Sequence, residues 1–464
     1  MKSKLWVFRE INLSQRASLA QALSISPATA SLFLARGVTT PDEATTWMSL
    51  QAPHDPFLIP DMEQAVERLH RAVTTQEPIC FYGDYDVDGI AATSVYMSFF
   101  GGLGAQVRAY VPHRLLEGYG LNLGAVQRLH DEGISLLVTS DCGTTSHKEI
   151  ALAAQLGMDV VVTDHHQTDE QMPPAVAVLN PHRVGALYPF RGLCSAALAY
   201  KVAQAYQLRY GVAGVPLESL LDLVALATVA DVVPLHDENR NFVREGLAQL
   251  SRGARCGVRA LKQVAGVTRD CTAETIAFKL APRINAAGRL DDAMLGVRLL
   301  TTDSPAEAQQ LADRLEQLNR ERQRIEVDIM AEALASLKDQ ELPPALVLAS
   351  RHWHLGVVGI VAARLVDRFQ RPAIVMAINE QGIAKGSART TGGFDLYQGL
   401  ASCREMLEAF GGHPSAAGVT IRESRIDEFR ARFSDVVAGW THDGAKVPTL
   451  NVDAEVRLDE VNLQ

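Results

Sequence analysis

The 464 residues carry 44 basic and 54 acidic side chains, a formal net charge of -10, and are 47% hydrophobic and 21% charged. That is an ordinary globular mix, long enough for about two to four domains. The negative balance argues against a chain that coats nucleic acid, and leaves room for a basic groove elsewhere while acidic residues cluster around metals.

No apolar run approaches the ~18 residues of a membrane span, and "MKSKLWVFREINLSQ" lacks a signal-peptide core. The six cysteines (Cys80, Cys142, Cys194, Cys256, Cys271, Cys403) form no CxxC pair. They read as reduced thiols of a cytoplasmic protein, with neither a zinc finger nor a disulfide framework.

Residues 1–60 read as a helical, loop-rich extension in which "SPATASLFLARG" and "TPDEATTWM" are capped segments. The apolar runs "ICFYG", "AQVRAYV", "SLLVTSD", "DVVVTDHH" and "AVAVLN" then alternate with helical patterns such as "AATSVYMSFFGG" and "HKEIALAAQLG". This alternation predicts an α/β domain over 61–300 with a parallel sheet and crossover helices. A helical region over about 195–250 contains "LLDLVALATVADVVPL". Over 301–342 a long connecting helix is expected, with Ser304 as N-cap, Pro305 at N1 and Glu307 completing a capping box. A second, smaller α/β domain is expected over 343–440, with "ALVLAS" and "PAIVMAI" as strands.

"FYGDYDVDGI" sets three aspartates at alternate positions after the first apolar run. Asp84, Asp86, Asp88 and Gly89 match the start of an EF-hand, but the twelfth position is Val95, which cannot ligate, and the segment follows a strand. A calcium loop is excluded, whereas a solvated acidic turn and a metal site both remain. In parallel sheets ligands bind beyond the carboxyl ends of the strands. There the sequence sets Asp84, Asp86 and Asp88, then Asp141, then Asp164, His165 and His166. Taken singly, Asp141 is a turn residue or a ligand, Asp231 a helix-end cap or a ligand, and either histidine a core residue. Together they suit Mn²⁺ or Mg²⁺, the mixed His/Asp set favouring manganese, and two such ions can clamp a phosphodiester.

"DYDVDG", "SDCG", "TDHH" and "ATVADVVPL" stand in the order of the four motifs of the DHH phosphoesterase superfamily, which the chain resembles. "APRINAAGRLDDA", "WHLGVVGIVAARL", "KGSART" and "FGGHPSAAG" add the RecJ-like pattern, including the DHH-associated C-terminal domain. The resemblance spans roughly residues 60–460. It implies a two-metal, manganese- or magnesium-dependent 5′→3′ exonuclease on single-stranded DNA, acting in repair and recombination, with a single-strand-binding protein as a candidate partner and no membrane.

Carried over residue by residue, the resemblance implies metal ligation by Asp86, Asp88, Asp141, His165 and Asp231, with Asp141 bridging and counted among the catalytic residues. It gives Asp84 and Asp164 an orienting role and makes His166 the phosphate-facing stabiliser or general acid. Arg283 and Arg289 fall near the substrate phosphate, and Tyr119 is a base-stacking or a buried tyrosine. His354, Ser387, Arg389, Gly411, Gly412 and His413 fall on the substrate side of the second domain. "FGGH" also reads as a tight turn after a helix "CREMLEAF". Residues 351–404 hold seven basic against three acidic side chains, which favours a phosphate-facing groove.

Cys194, Ser195 and Ala196 depart from the glycines usual there, so a local difference at a helix start is expected. Residues 441–464 read as the start of a shortened OB-like nucleic-acid module. The alternative reading is a superfamily phosphoesterase acting on short oligonucleotides or cyclic dinucleotides. A binding-only protein is disfavoured by the intact acidic and histidine set.

Overall fold

The computed structural model describes residues 5–49, 52–211, 214–338, 341–390, 393–441 and 449–457. Among them the strands are β1 (Leu5–Phe8), β2 (Ile79–Gly83), β3 (Val107–Tyr110), β4 (Leu136–Ser140), β5 (Asp159–Thr163), β6 (Ala177–Leu179), β7 (Leu346–Ser350), β8 (Ala373–Ile378), β9 (Ile383–Arg389), β10 (Ala409–Gly412), β11 (Ala416–Arg422) and β12 (Thr449–Val452). The chain forms two compact units, residues 52–323 and residues 1–51 with 324–464. No single helix among the described residues is long and apolar enough to cross a membrane.

In the first unit an all-parallel sheet runs β3–β2–β4–β5–β6. β2 and β4 are buried throughout, which is why both read as unbroken apolar runs. The chain leaves β2 for β3 on one side and returns to β4 on the other, so the strand order reverses between β2 and β4. Such a switch point opens a crevice at the carboxyl ends of the strands. The helix Val87–Gly102 is apolar nearly all round because it packs among neighbours, helices Ser195–Tyr210 and Leu221–Ala230 among them. The parallel sheet and crossover helices are those expected from the sequence.

The helix Pro305–Ser336 is 32 residues long, ~48 Å at 1.5 Å per residue. Ser304 Oγ accepts the Glu307 amide at 3.3 Å, but the expected capping box is not completed. The Glu307 carboxylate instead accepts from Thr302 Oγ1 and Arg298, both at 2.7 Å, and Ser304 N–H donates to Thr302 Oγ1. A hydroxyl and a guanidinium outcompete one backbone amide. Leu311, Leu315 and Leu318 enter the core of the first unit. Arg322, which interrupts the stripe, is buried and donates to Asn319 Oδ1.

The second unit is built on a mixed sheet, β10–β11–β9–β8–β7, in which only β7 and β8 are parallel. Three of its strands went unread in the sequence. "CREMLEAF" is no helix: a single 3-10 turn spans Arg404–Met406, and Ala409–Gly412 is a strand. Phe410 packs against the core of this unit, next to Tyr397 at 5.6 Å, which an extended segment achieves and a further helical turn would not. Helices Pro27–Ala35 and Pro41–Met48 are capped by Ser26 and Thr40, as the sequence suggests. β1 pairs in parallel with β12. Most of the expected OB-like start, residues 442–448 and 458–464, lies outside the described residues.

Candidate metal centre

The ends of three strands are level. Gly83, Ser140 and Thr163 are in register, and the next residues extend the ladder: Asp84 N–H donates to Ser140 O (3.2 Å), Asp141 N–H to Thr163 O (3.1 Å) and Asp164 N–H to Leu179 O (3.1 Å). Backbone pairing thus sets three aspartates side by side at the switch point. Asp141 holds a left-handed backbone with φ +65°, a region that Asp and Asn tolerate better than other L residues.

Asp86 caps the helix Val87–Gly102, its Oδ1 accepting from the Asp88 and Gly89 amides. A Cβ on Gly89 would meet Asp84 N at 2.4 Å, so only glycine lets that helix start against the strand end. Asp88 accepts the amides of Ser195 (2.7 Å) and Ala196 (2.8 Å) on its two oxygens. These open the helix Ser195–Tyr210, whose N-terminal dipole favours a carboxylate. The departures at Cys194–Ala196 therefore fall at the site itself, and Ser195 Oγ donates to Asp141 Oδ1 at 3.2 Å. Sequence reasoning missed the grip on Asp88 because backbone donors leave no residue-type signature.

Asp164 is spent on orientation. Its Oδ1 accepts from the amides of His165 and His166 and contacts His166 Nδ1 at 2.7 Å, while Oδ2 accepts from the Thr144 amide. Asn180 Nδ2 donates to Thr144 Oγ1 and His166 O. His165 Nε2 lies 3.2 Å from Asp141 Oδ1 and 3.7 Å from both Asp88 Oδ2 and Asp231 Oδ2. Asp231 both ends the helix Leu221–Ala230 and reaches this cluster.

Among the described residues, three groups place ligand atoms within 4.8 Å of one another: Asp141 with His165 and His166; Asp88 with His165 and Asp231; Asp84 with Asp86 and Asp141. The third sets Asp84 among the converging carboxylates, nearer than an orienting role requires.

The donor set fits a cation. His165 Nε2 and Asp84 Oδ1 are buried with no hydrogen-bond partner among the described residues, an arrangement that costs free energy unless a ligand completes it. Asp84, Asp86 and Asp141 are held above the ordinary carboxyl range, Asp84 and Asp141 well above. Burial is the largest cause for both, followed by Asp86 for Asp84 and Asp88 for Asp141. Asp231 is pushed up to about 8 by burial and then by Asp88 and Asp86. Burial opposes protonation of His166, yet its hydrogen bond to Asp164 prevails and raises it to about 9; the same bond, against burial, draws Asp164 down to about 2. Oxygen and imidazole donors of this kind suit Mn²⁺ and Mg²⁺.

Beside the aspartates lies a cavity of about 260 Å³ lined by Asp84, Tyr85, Asp86, Arg114, Tyr119, Asn285 and Arg289. Arg289 belongs to it. Arg283 does not line it; its guanidinium pairs with Glu316 at 2.6 Å and caps Lys279 O. Arg114 and Asn285 were not anticipated. Arg114 lies over the Tyr85 ring at 4.7 Å, and Asn285 Oδ1 accepts the Val87 amide. Tyr119 is 55% exposed and donates its hydroxyl to Asp141 O at 3.0 Å, so it is neither a buried tyrosine nor a free ring.

In the second unit, Ser387 stands opposite Gly418 and Gly418 opposite Gly411, so "KGSART" and "FGGHPSAAG" meet across three strands. Arg389 Nη1 donates to Ser387 Oγ at 2.6 Å. His354 caps the helix Leu355–Phe369. Gly411 and Gly412 belong to β10, and His413 N–H pairs with Ala416 O, so "FGGH" is a hairpin arm rather than a turn after a helix. The basic excess over 351–404 is partly answered from outside that window, Arg351 by Glu423 and Arg364 by Glu326.

A parallel sheet with carboxylates and histidines gathered at its switch point defines a metal-binding α/β domain. Residues 78–228 match the DHH family N-terminal domain and residues 342–439 the DHHA1 domain. The chain is 39% identical to the single-stranded-DNA-specific exonuclease RecJ of Bacillus subtilis (strain 168) over 99% of its own length, and spans 58% of that relative. It is 37% identical to the exonuclease RecJ of Dickeya dadantii, covering 93% of this chain and 78% of the relative. The crystal structure of RecJ with Mn²⁺ from Thermus thermophilus matches with a TM-score of 0.83 at 31% identity, covering 97% of this chain and 64% of that one. The chain belongs to the RecJ family of DHH proteins.

Proposed function

We propose that the chain is a metal-dependent exonuclease that hydrolyses phosphodiester bonds of single-stranded DNA in the 5′→3′ direction, in DNA repair and recombination in the cytoplasm. The observation that carries this reading is the buried, unpartnered Nε2 of His165 among the carboxylates of Asp88, Asp141 and Asp231. The activity named for the relatives supports it.

Asp86, Asp88, Asp141, His165 and Asp231 would hold two Mn²⁺ or Mg²⁺ ions, with Asp141 shared between them. Two bound ions supply an activated water and charge stabilisation of the leaving oxygen. The chain's own residues do the rest. Asp164 fixes both histidines through their amides and keeps His166 protonated, so that His166 donates to a phosphate oxygen or the leaving group. Arg289, together with Arg114, offers guanidinium donors to a phosphate in the cavity. Tyr119 presents its exposed ring to a base. His354, Ser387, Arg389, His413 and the backbone at Gly411 and Gly412 contact the strand's phosphates, whereas Arg283, held by Glu316, serves its helix. A single-strand-binding protein presenting the DNA is the partner this chemistry suits.

The test is digestion of 5′- and 3′-labelled single strands of DNA and RNA with Mn²⁺ or Mg²⁺. Early release of the 5′ label as mononucleotide from DNA is expected. Cleavage confined to dinucleotides, or label lost first from 3′ ends, would overturn the proposal.

A further inference from the structure

Two segments from outside the sheet complete the centre. Residues 192–196 deliver the amides that hold Asp88 and the hydroxyl that meets Asp141. Residues 231–237 deliver Asp231. A single side chain ties them: Asn239, fully buried, donates Nδ2 to Gly192 O at 2.6 Å and to Pro234 O at 3.0 Å. Both acceptors are carbonyls, so the flipped amide would lose both bonds.

The 231–237 segment is held in conformations it would not choose. Val232, immediately after Asp231, has φ +59°, and Asp237 has φ +52°. For a β-branched residue that region is a genuine outlier, and Val232 is 85% exposed, so burial of its side chain does not explain it. The far end is pinned by a buried network: Glu238 accepts from Lys201 Nζ (2.8 Å), His54 N–H (3.0 Å) and Tyr188 Oη, and Asp237 Oδ1 meets His54 Nε2 at 2.7 Å. Strain persists where the surroundings over-determine a backbone, and it collects at functional sites.

We propose that Asn239 is a positioning residue: its bifurcated amide locks the strained 231–237 segment to the 192–196 segment and so sets Asp231 against Asp88 and His165. This rests on the reading of those residues as metal ligands. The geometry makes Val232 the second half of the device, a residue whose strain is kept because it aims the aspartate before it.

The probe is Mn²⁺, titrated into the full chain by calorimetry and by the electron paramagnetic resonance of free Mn²⁺, with unfolding followed in EDTA. Asn239→Ala should weaken Mn²⁺ binding by ~10-fold, the scale of lost outer contacts at metal sites. In an Asp231→Ala background the same change should have almost no further effect, because the aspartate it positions is gone. Val232→Gly, which takes φ +59° without strain, should fold at least as stably as the parent in EDTA and keep near-parental affinity, whereas Val232→Pro, whose ring fixes φ at about −65°, should bind Mn²⁺ several-fold more weakly. Equal weakening by Asn239→Ala with and without Asp231 would overturn the proposal, as would parental affinity in Val232→Pro. Should Asn239→Ala fail to fold, the Val232 pair decides alone. Unchanged Mn²⁺ binding in Asp231→Ala would instead sink the metal-centre reading beneath it.

Discussion

His165 Nε2 and Asp141 Oδ1 lie 3.2 Å apart, buried, and the imidazole nitrogen has no hydrogen-bond partner among the described residues. Such a nitrogen beside a carboxyl whose charged form burial disfavours is a site poised for a cation. Asp141→Asn keeps a residue that tolerates φ +65° and removes the charge. It should lose more than ~100-fold in hydrolysis, beyond the loss typical of outer-shell contacts, while unfolding in EDTA at or above the parental temperature. Near-parental turnover at saturating Mn²⁺ would dismiss Asp141 as a bridging ligand.

His166 should separate from His165. Its Nδ1 is held by Asp164 at 2.7 Å, and general-acid roles contribute ~10²–10⁴-fold. His166→Ala should therefore lower kcat by about that range with Mn²⁺ binding kept, whereas His165→Ala should lose an ion. If calorimetry finds His166→Ala one ion short, the division of labour is wrong.

Much of this was legible in the sequence. Buried parallel strands announce themselves as apolar runs, and a ladder that levels their ends brings Asp84, Asp141 and Asp164 together without any further information. Contacts across long sequence separations were not legible. Nothing in "CSAAL" announces that its amides grip Asp88 over a hundred residues away. Arg283 and Arg289, six residues apart on a helix, sit about 120° apart around its axis, and no residue type says which one turns toward the cavity. β9, β10 and β11 are glycine-rich and half exposed, so they lack the apolar run that marked β2 and β4.

The metal-free centre should be pH-sensitive with a definite sign. Asp231 titrates at about 8, above its ordinary value of ~4, and His166 at about 9. Folded values raised above unfolded ones favour the protonated fold, so their stability contribution is present at low pH and lost as pH rises through 8 and 9. In EDTA, Tm should fall between about pH 6 and pH 8, less so in Asp231→Asn. Mn²⁺ binding at neutral pH should then release protons, seen as a buffer-dependent calorimetric heat. Identical heats in buffers of different ionisation enthalpy would count against it.

Arg289 and Arg283 should differ in kind. Arg289 lines the cavity beside Asp84 and Asp86, and burial, then Arg114 and Arg322, lowers it to about 10. Arg289→Ala should raise KM for single-stranded DNA and reduce the salt slope by about 1. Arg283→Ala breaks its pair with Glu316 and should act chiefly on stability. Equal KM effects from the two would show that the cavity does not take the phosphate.

The glycines of β10 offer the sharpest division between fold and ligand. Gly412 has φ +140°, and a Cβ there would meet Ala416 O at 2.4 Å; the hairpin itself demands it, and Gly412→Ala would be destabilising whatever binds. Gly411, one residue earlier, has no heavy atom within 4 Å of the place a Cβ would take, and its φ is not positive. Nothing in the fold requires glycine there. By stiffening the unfolded chain, Gly411→Ala should leave stability unchanged or raise it by about 0.4–1 kcal/mol. A phosphate drawn close to the backbone would feel the added methyl, so KM for single-stranded DNA should rise several-fold with kcat kept. If Gly411→Ala is as active as the parent at limiting DNA, the glycine serves neither fold nor ligand, and the contact proposed for this strand fails.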